Sequence, residues 1–145
     1  MSLKLMSIVG LLIMIVVICL LIEARCLVGN NIVAIAVQVL AIGLMIWARV
    51  TFGRRSFHAA GNPTEGGLVT SGPYRYIRHP IYAAALYLIW AGVISHLSLE
   101  TLALGIFGIV GAGMRISVEE RLVSERYPEY KEYAKRTRRI FPFVV

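Results

Sequence analysis

Four apolar runs fill most of this 145-residue chain, and they decide what it can fold into. They cover residues 5–22, 32–48, 81–95 and 97–114. A water-soluble domain of this length cannot hide a chain that is 58% hydrophobic, because surface area limits burial in small domains. A bilayer removes that limit. A helix rises about 1.5 Å per residue, so about 20 residues cross the hydrocarbon core. The first, second and fourth runs are near that length. The third reaches it only by starting near His79, continuing towards Leu97 and turning tightly over 95–99. The expected fold is an all-α integral membrane protein, with four transmembrane helices and a cytoplasmic C-terminal helical segment, in one domain over 1–145. A cleaved leader is the weaker reading of the first run: Lys4 is its only preceding charge, the run is long, and no small-x-small site follows it.

The net charge is +7 and the chain has no Asp. Distribution decides what this means. Arg49, Arg54, Arg55, Arg75 and Arg78 lie at or within the second loop, and Arg115 and seven further Lys or Arg follow the last run. The first and third loops hold only Arg25. The positive-inside rule therefore places both termini and the second loop in the cytoplasm. Anionic lipid headgroups, not nucleic acid, are the partners such charge suits. Cys19 and Cys26 are seven residues apart, about 10 Å along a helix, too far for a disulfide and without a metal pattern. His58 and His96 stand alone, so no metal site is expected.

The two halves differ. Residues 1–50 read as two scaffold helices, with Gln38 the one amide inside their apolar runs. Residues 51–145 carry the polar, aromatic and proline signals. The 51–78 loop is long for a helix connection and is punctuated by Gly61-Asn62-Pro63, Gly66-Gly67 and Ser71-Gly72-Pro73. Leu68, Val69, Tyr74, Tyr76 and Ile77 argue that it is ordered. Beyond Met114 a helix continues to about Arg126, Pro128 interrupts it, and a second piece over 129–137 carries Tyr130 and Tyr133 on one face. The 140–143 ending is apolar, suited either to docking back on the domain or to dipping into the membrane interface.

Two constellations could carry chemistry. The first is Arg78-His79-Pro80-Ile81-Tyr82, preceded by Tyr74. Pro80 suits the first turn of a helix, and His79 is pushed out of helical geometry before it. The free N–H groups of that turn would attract an anion. The same residues also suit headgroup anchoring at a membrane entry. The second is Arg115 with Glu119 and Glu120. Arg115 and Glu119, at i and i+4, share a helix face, either as a functional pair or as a solvated ion pair worth a few tenths of a kcal/mol. The glycine row Gly105, Gly108, Gly111 and Gly113 fits close helix packing best.

In this order, the two constellations resemble the isoprenylcysteine carboxyl methyltransferase family and its phospholipid methyltransferase relatives. The resemblance covers 49–145. It rests on Leu68-Val69 through Gly72 and Tyr74, on Arg78-His79-Pro80-Ile81-Tyr82, on Arg115 with Glu119-Glu120, on Tyr130 and Tyr133, and on Arg139 with Pro142-Phe143. Departures are Ala84 where a Gly is usual, Val123 for a Leu, and Tyr127-Pro128-Glu129 for a longer segment. Gly66 stands where relatives carry a polar residue.

The resemblance implies a membrane methyltransferase using S-adenosyl-L-methionine. The cofactor residues it implies are Gly67, Leu68, Val69, Tyr74, His79, Pro80, Ile81, Tyr82 and Glu119. Arg115 is implied on the substrate side, and Arg115, Glu119 and Glu120 are the expected catalytic residues. The acceptor implied is a lipophilic molecule bearing a carboxylate, reached from the membrane, with ethanolamine phospholipid as the alternative. A small transporter would need an acidic residue buried mid-membrane, and Glu23 and Glu100 lie near run ends instead. A non-catalytic scaffold is the other rival class.

Overall fold

The computed structural model describes residues 2–53 and 67–141. Among them, all regular structure is helical, apart from one parallel bridge between Ile77 and Arg138. The helices are α1 (Leu3–Glu23), α2 (Ile32–Phe52), α3 (Pro80–Ser95), α4 (Leu99–Arg126) and α5 (Tyr130–Arg136), with a 3-10 turn at Gly72–Arg75 before α3. His58, the 61–63 turn signal and Gly66 fall outside the described residues.

Side chains set the helix starts. Ser2 accepts from the Leu5 N–H, and Asn31 accepts from the Ala34 N–H at 2.9 Å. Ser98 and Thr101 form a reciprocal capping box at α4. That box is why the third apolar run stays short. Pro80 fixes one end of α3, and at the other the box starts α4 at Ser98 while the Thr101 hydroxyl donates to the His96 carbonyl, leaving α3 16 residues, or about 24 Å. Three helices, α1, α2 and α4, are therefore long and apolar enough to cross a bilayer, and α3, the remaining member of the four expected transmembrane helices, is a shorter apolar helix. Helix α4 continues unbroken past its apolar stretch to Arg126, as its sequence suggests.

The helices pack antiparallel in the lateral order α1, α4, α3, α2. Outward faces of α1 and α2 are apolar, with Leu40 73% exposed, as lipid contact requires. Where α1 crosses α4, backbones touch. A Cβ on Gly111 would lie 2.8 Å from the Gly10 carbonyl oxygen, and one on Gly10 would lie 2.7 Å from that of Gly111. Gly105 makes room for Trp90, whereas Gly113 faces open space. Side chains of α1 and α3 meet in a core of Val17, Leu21, Ile89 and Val93.

Gln38 is a structural tie. Its amide donates to the carbonyls of Leu27 and Leu88 at 2.6 and 3.1 Å and accepts from the Gly29 N–H at 3.0 Å. A buried amide in a lipid-facing helix needs such partners, and here they fasten α2 to α3 and to the 24–31 loop. His96 caps α3 and contacts the Val28 carbonyl at 2.9 Å at that same end of the bundle. The start of α1, the end of α2, the start of α3 and the C-terminal half of α4 share the opposite end. Cys19 and Cys26 are free thiols.

The crossing predicts an asymmetry between two glycines on one helix. Gly111→Ala should lower the thermal midpoint of the purified protein, with a cost of about 1–3 kcal/mol from overpacking against backbone. Gly113→Ala should leave it unchanged or raise it, since Ala is the better helix former by roughly 0.5–1 kcal/mol. Equal effects would remove the crossing as the tight point.

Candidate active site

The site is built where α3 begins and α4 passes. Tyr82 occupies the first turn of α3, and Arg115 and Glu119 lie on the facing side of α4. The Tyr82 hydroxyl donates to Glu119 Oε1 and accepts from Arg115 Nε at 2.7 Å. Arg115 Nη2 reaches the same carboxylate oxygen at 3.4 Å, and Nη1 donates to the Ser7 carbonyl of α1 at 3.3 Å. The guanidinium also lies over the Tyr82 ring, 5.6 Å from its centre. Arg115 is 5% exposed, so it is not the solvated surface pair that the spacing alone allows. Leaving a buried charge unpaired costs about 3–5 kcal/mol, so Arg115 and its partners hold one another in place.

His79 stands between two carboxylates. Its Nε2 lies 3.3 Å from Glu120 Oε1 and its Nδ1 lies 3.9 Å from Glu119 Oε2. Glu120 also accepts from Arg78 Nε at 3.1 Å and from Arg139 Nη2 at 2.8 Å. Arg78 reaches further: its Nη1 donates to the carbonyls of Ala134 and Thr137, at the C-terminal end of α5. One carboxylate thus gathers the start of α3, the body of α4 and the chain after α5.

As far as Phe141 that last segment docks back on the domain; Pro142 and Phe143 lie outside the described residues. The Arg78 and His79 N–H groups donate to the Arg138 and Arg139 carbonyls at 2.6 and 3.0 Å. Tyr87 donates to the Ile140 carbonyl at 2.8 Å, and the Phe141 ring lies 5.3 Å from that of Tyr87. The pairing changes one expectation. The His79 N–H is spent on Arg139, and Pro80 has none, so the first-turn donors left to α3 are those of Ile81 and Tyr82.

The remaining expected residues surround this cluster unevenly. Pro80 is buried at the first position of α3 and Ile81 is half-buried. Tyr74 is buried against Phe52, with ring centres 5.4 Å apart, and its carbonyl accepts from the Tyr133 hydroxyl at 2.6 Å. Burial raises the Tyr74 phenol well above its ordinary range, and the charges of Tyr133 and Glu119 add to this against Arg49. Gly67, at φ +86°, and Leu68 and Val69 form an irregular approach to the 3-10 turn. Among the described residues no hydrogen bond joins those three to the His79 cluster. The parts sequence reasoning missed are Ser7, Arg78 as a clamp, Arg139 as a partner of Glu120, and Tyr87. An excess of arginines around two glutamates was the available signal, but it does not say which pairs with which.

Residues 29–130 match the phospholipid methyltransferase family. The chain belongs to that family. Its relatives include the cobalt-zinc-cadmium resistance protein CzcN of Cupriavidus metallidurans, 31% identical over 106 residues, or 71% of this chain and 49% of that protein. The nickel-cobalt-cadmium resistance protein NccN of Alcaligenes xylosoxydans xylosoxydans is 29% identical over 112 residues, or 74% and 52%. The chain spans about half the length of the curated relatives it matches. No solved structure matches it. Membership of the phospholipid methyltransferase family, with the apolar helices, supports a membrane methyltransferase. The matched stretch contains His79, Tyr82, Arg115, Glu119 and Glu120. Helix α1 and the chain after Tyr130 lie outside it.

Glu120 gives this family member a pH signature. The residue lies beyond the apolar stretch of α4, which ends at Met114. Burial raises its carboxyl, but bonds from His79, Arg139 and Arg78 outweigh this and bring it from 4.5 down to about 2. A carboxyl depressed by folding stabilises the fold above its unfolded value, and that stability is lost as pH falls through the folded value. Wild-type protein should therefore lose stability between pH 4.5 and about 2. Glu120→Gln should melt lower at pH 7 and show a flatter acid limb in a thermal scan. Parallel acid limbs would show that Glu120 is not so held.

Proposed function

We propose that this chain transfers a methyl group from S-adenosyl-L-methionine to a lipophilic acceptor that bears a carboxylate, in the manner of isoprenylcysteine carboxyl methyltransferases. The observation that carries the reading is the buried Tyr82–Arg115–Glu119 contact beside His79. The residues present fit such a cofactor. Its amino group suits Glu119, whose side chain is 25% exposed against 15% for Glu120 and so opens further towards solvent. Its carboxylate suits the Ile81 and Tyr82 N–H groups with His79. Tyr74 and the Gly67-Leu68-Val69 approach would enclose the remainder.

The cofactor supplies a sulfonium methyl group that needs only a nucleophile in line. A carboxylate acceptor is already nucleophilic and requires no base. In this reading Arg115 orients it, with Tyr82 and Glu119 fixing the guanidinium so that little reorganisation remains. Glu120 organises His79. We place the site and both termini on the cytoplasmic side, because the basic residues gather at that end, and we read α3 as a fourth, short crossing. The acceptor comes from the bilayer.

The family match favours a second reading, phospholipid N-methylation. An amine acceptor must lose a proton, and Glu119 is then the better base. Glu120, held near 2 by three basic partners, accepts a proton poorly. The relatives' names give a resistance phenotype, and a change to membrane lipid chemistry is one route to such a phenotype.

Calorimetry with S-adenosylhomocysteine should show saturable binding, and absence of binding by folded protein would favour a non-catalytic scaffold. Labelled cofactor should then mark a prenylcysteine in preference to phosphatidylethanolamine, and the reverse order would select the second reading. Arg115→Ala should cut turnover by about 100-fold or more while S-adenosylhomocysteine binding stays measurable. Loss of both together would sink the division of roles.

A further inference from the structure

We infer that Arg139 is a positioning residue: through Glu120 it sets how His79 is presented. The inference rests on the methyltransferase reading above and lies outside the 29–130 stretch that the family match covers.

Register brings Arg139 to its place. Ile77 and Arg138 form a parallel bridge, Arg138 N–H donates to the Tyr76 carbonyl at 3.1 Å, and His79 N–H donates to the Arg139 carbonyl at 3.0 Å. The Arg139 main chain is therefore fixed beside His79. Beyond it, Ile140 is anchored by Tyr87, and Phe141 rests on the same ring.

Grip on the carboxylate distinguishes Arg139 from its neighbours. Arg78 and His79 both address Glu120 Oε1, at 3.1 and 3.3 Å. Arg139 addresses both oxygens, Oε1 from Nε at 3.3 Å and Oε2 from Nη2 at 2.8 Å. A two-pronged guanidinium fixes the plane of a carboxylate, which single-point partners leave free to turn. Glu120, once fixed, dictates the imidazole. A ring nitrogen within hydrogen-bond reach of a carboxylate keeps its proton: Nε2 lies 3.3 Å from Glu120, whereas Nδ1, 3.9 Å from Glu119, lies beyond that reach.

Magnitudes separate positioning from support. The Arg139 side chain is 56% exposed. A pair so exposed contributes little to stability. Removing it should leave the fold standing while freeing the Glu120 plane. Arg138 provides the matched control. Its side chain is exposed, and its main chain does the bridging.

The test uses the full chain in lipid nanodiscs, with 15N-labelled histidine and S-adenosylhomocysteine as the probe. Wild type should show His79 protonated at Nε2. Arg139→Ala should move the His79 ring shifts towards mixed tautomers and weaken probe binding by about fivefold or more, the lower range of ordinary coupling between groups. Arg139→Lys should recover part of the affinity, and Arg138→Ala should stay within about twofold of wild type. Unchanged ring shifts or unchanged affinity in Arg139→Ala overturns the inference, as does an equal loss in Arg138→Ala, which would mark a general effect of surface charge. A wild-type protein that binds no probe overturns the methyltransferase reading instead, and the ring shifts then decide the role of Arg139 alone.

Discussion

The contact of Tyr82 with Arg115 and Glu119 is the interaction on which this architecture turns. A guanidinium placed between helices at the edge of an apolar bundle is costly unless its donors are met. Tyr82 brings α3, Glu119 belongs to α4 itself, and Ser7 brings α1. Three helices are thus committed to one relative position by one buried charge. The Gly10–Gly111 crossing lets α1 come near enough for the Ser7 carbonyl to take part. Helix α2 is attached through Gln38 to α3 and through Phe52 to Tyr74.

A second layer stands on the first. Glu119 and Glu120 are adjacent on α4, yet their environments diverge. Glu119 belongs to the buried contact and opens partly to solvent. Glu120 faces the clamp of Arg78, His79 and Arg139. Two neighbouring carboxylates in unlike surroundings are an arrangement in which one can act on a ligand while the other holds structure. His79 is the shared member, since each of its ring nitrogens faces one of the two.

Much of this was legible in the sequence, for identifiable reasons. The apolar runs gave α1, α2 and α4 because helix length in a bilayer is set by residue count. Pro80 gave the start of α3, and Pro128 gave the break before α5. The Arg115–Glu119 spacing gave the shared face. The shortness of α3 was less legible, because the Ser98–Thr101 box competes for the same residues and hydropathy does not register capping. The partners of Glu120 were not legible, because pairing across 42 residues to Arg78 or 19 to Arg139 leaves no periodic trace. The burial of Arg115 was hidden for the same reason, since its α1 partner is a carbonyl and any residue supplies one.

The lateral order of the helices bears on how the protein is made. Helices α1 and α2 are neighbours in the chain but not in the bundle, because α1 packs on α4 and α2 on α3. During synthesis the first helix enters the membrane with its Gly10 face uncovered. It keeps that face uncovered until Gly111 of α4 arrives, about a hundred residues later. Closing so long a loop adds little extra entropy cost, since that cost grows only with the logarithm of length. Order of arrival matters more. Ser7, Tyr82, Arg115 and the 138–141 segment cannot come together until the chain has been made past residue 141, so the candidate site forms late in assembly.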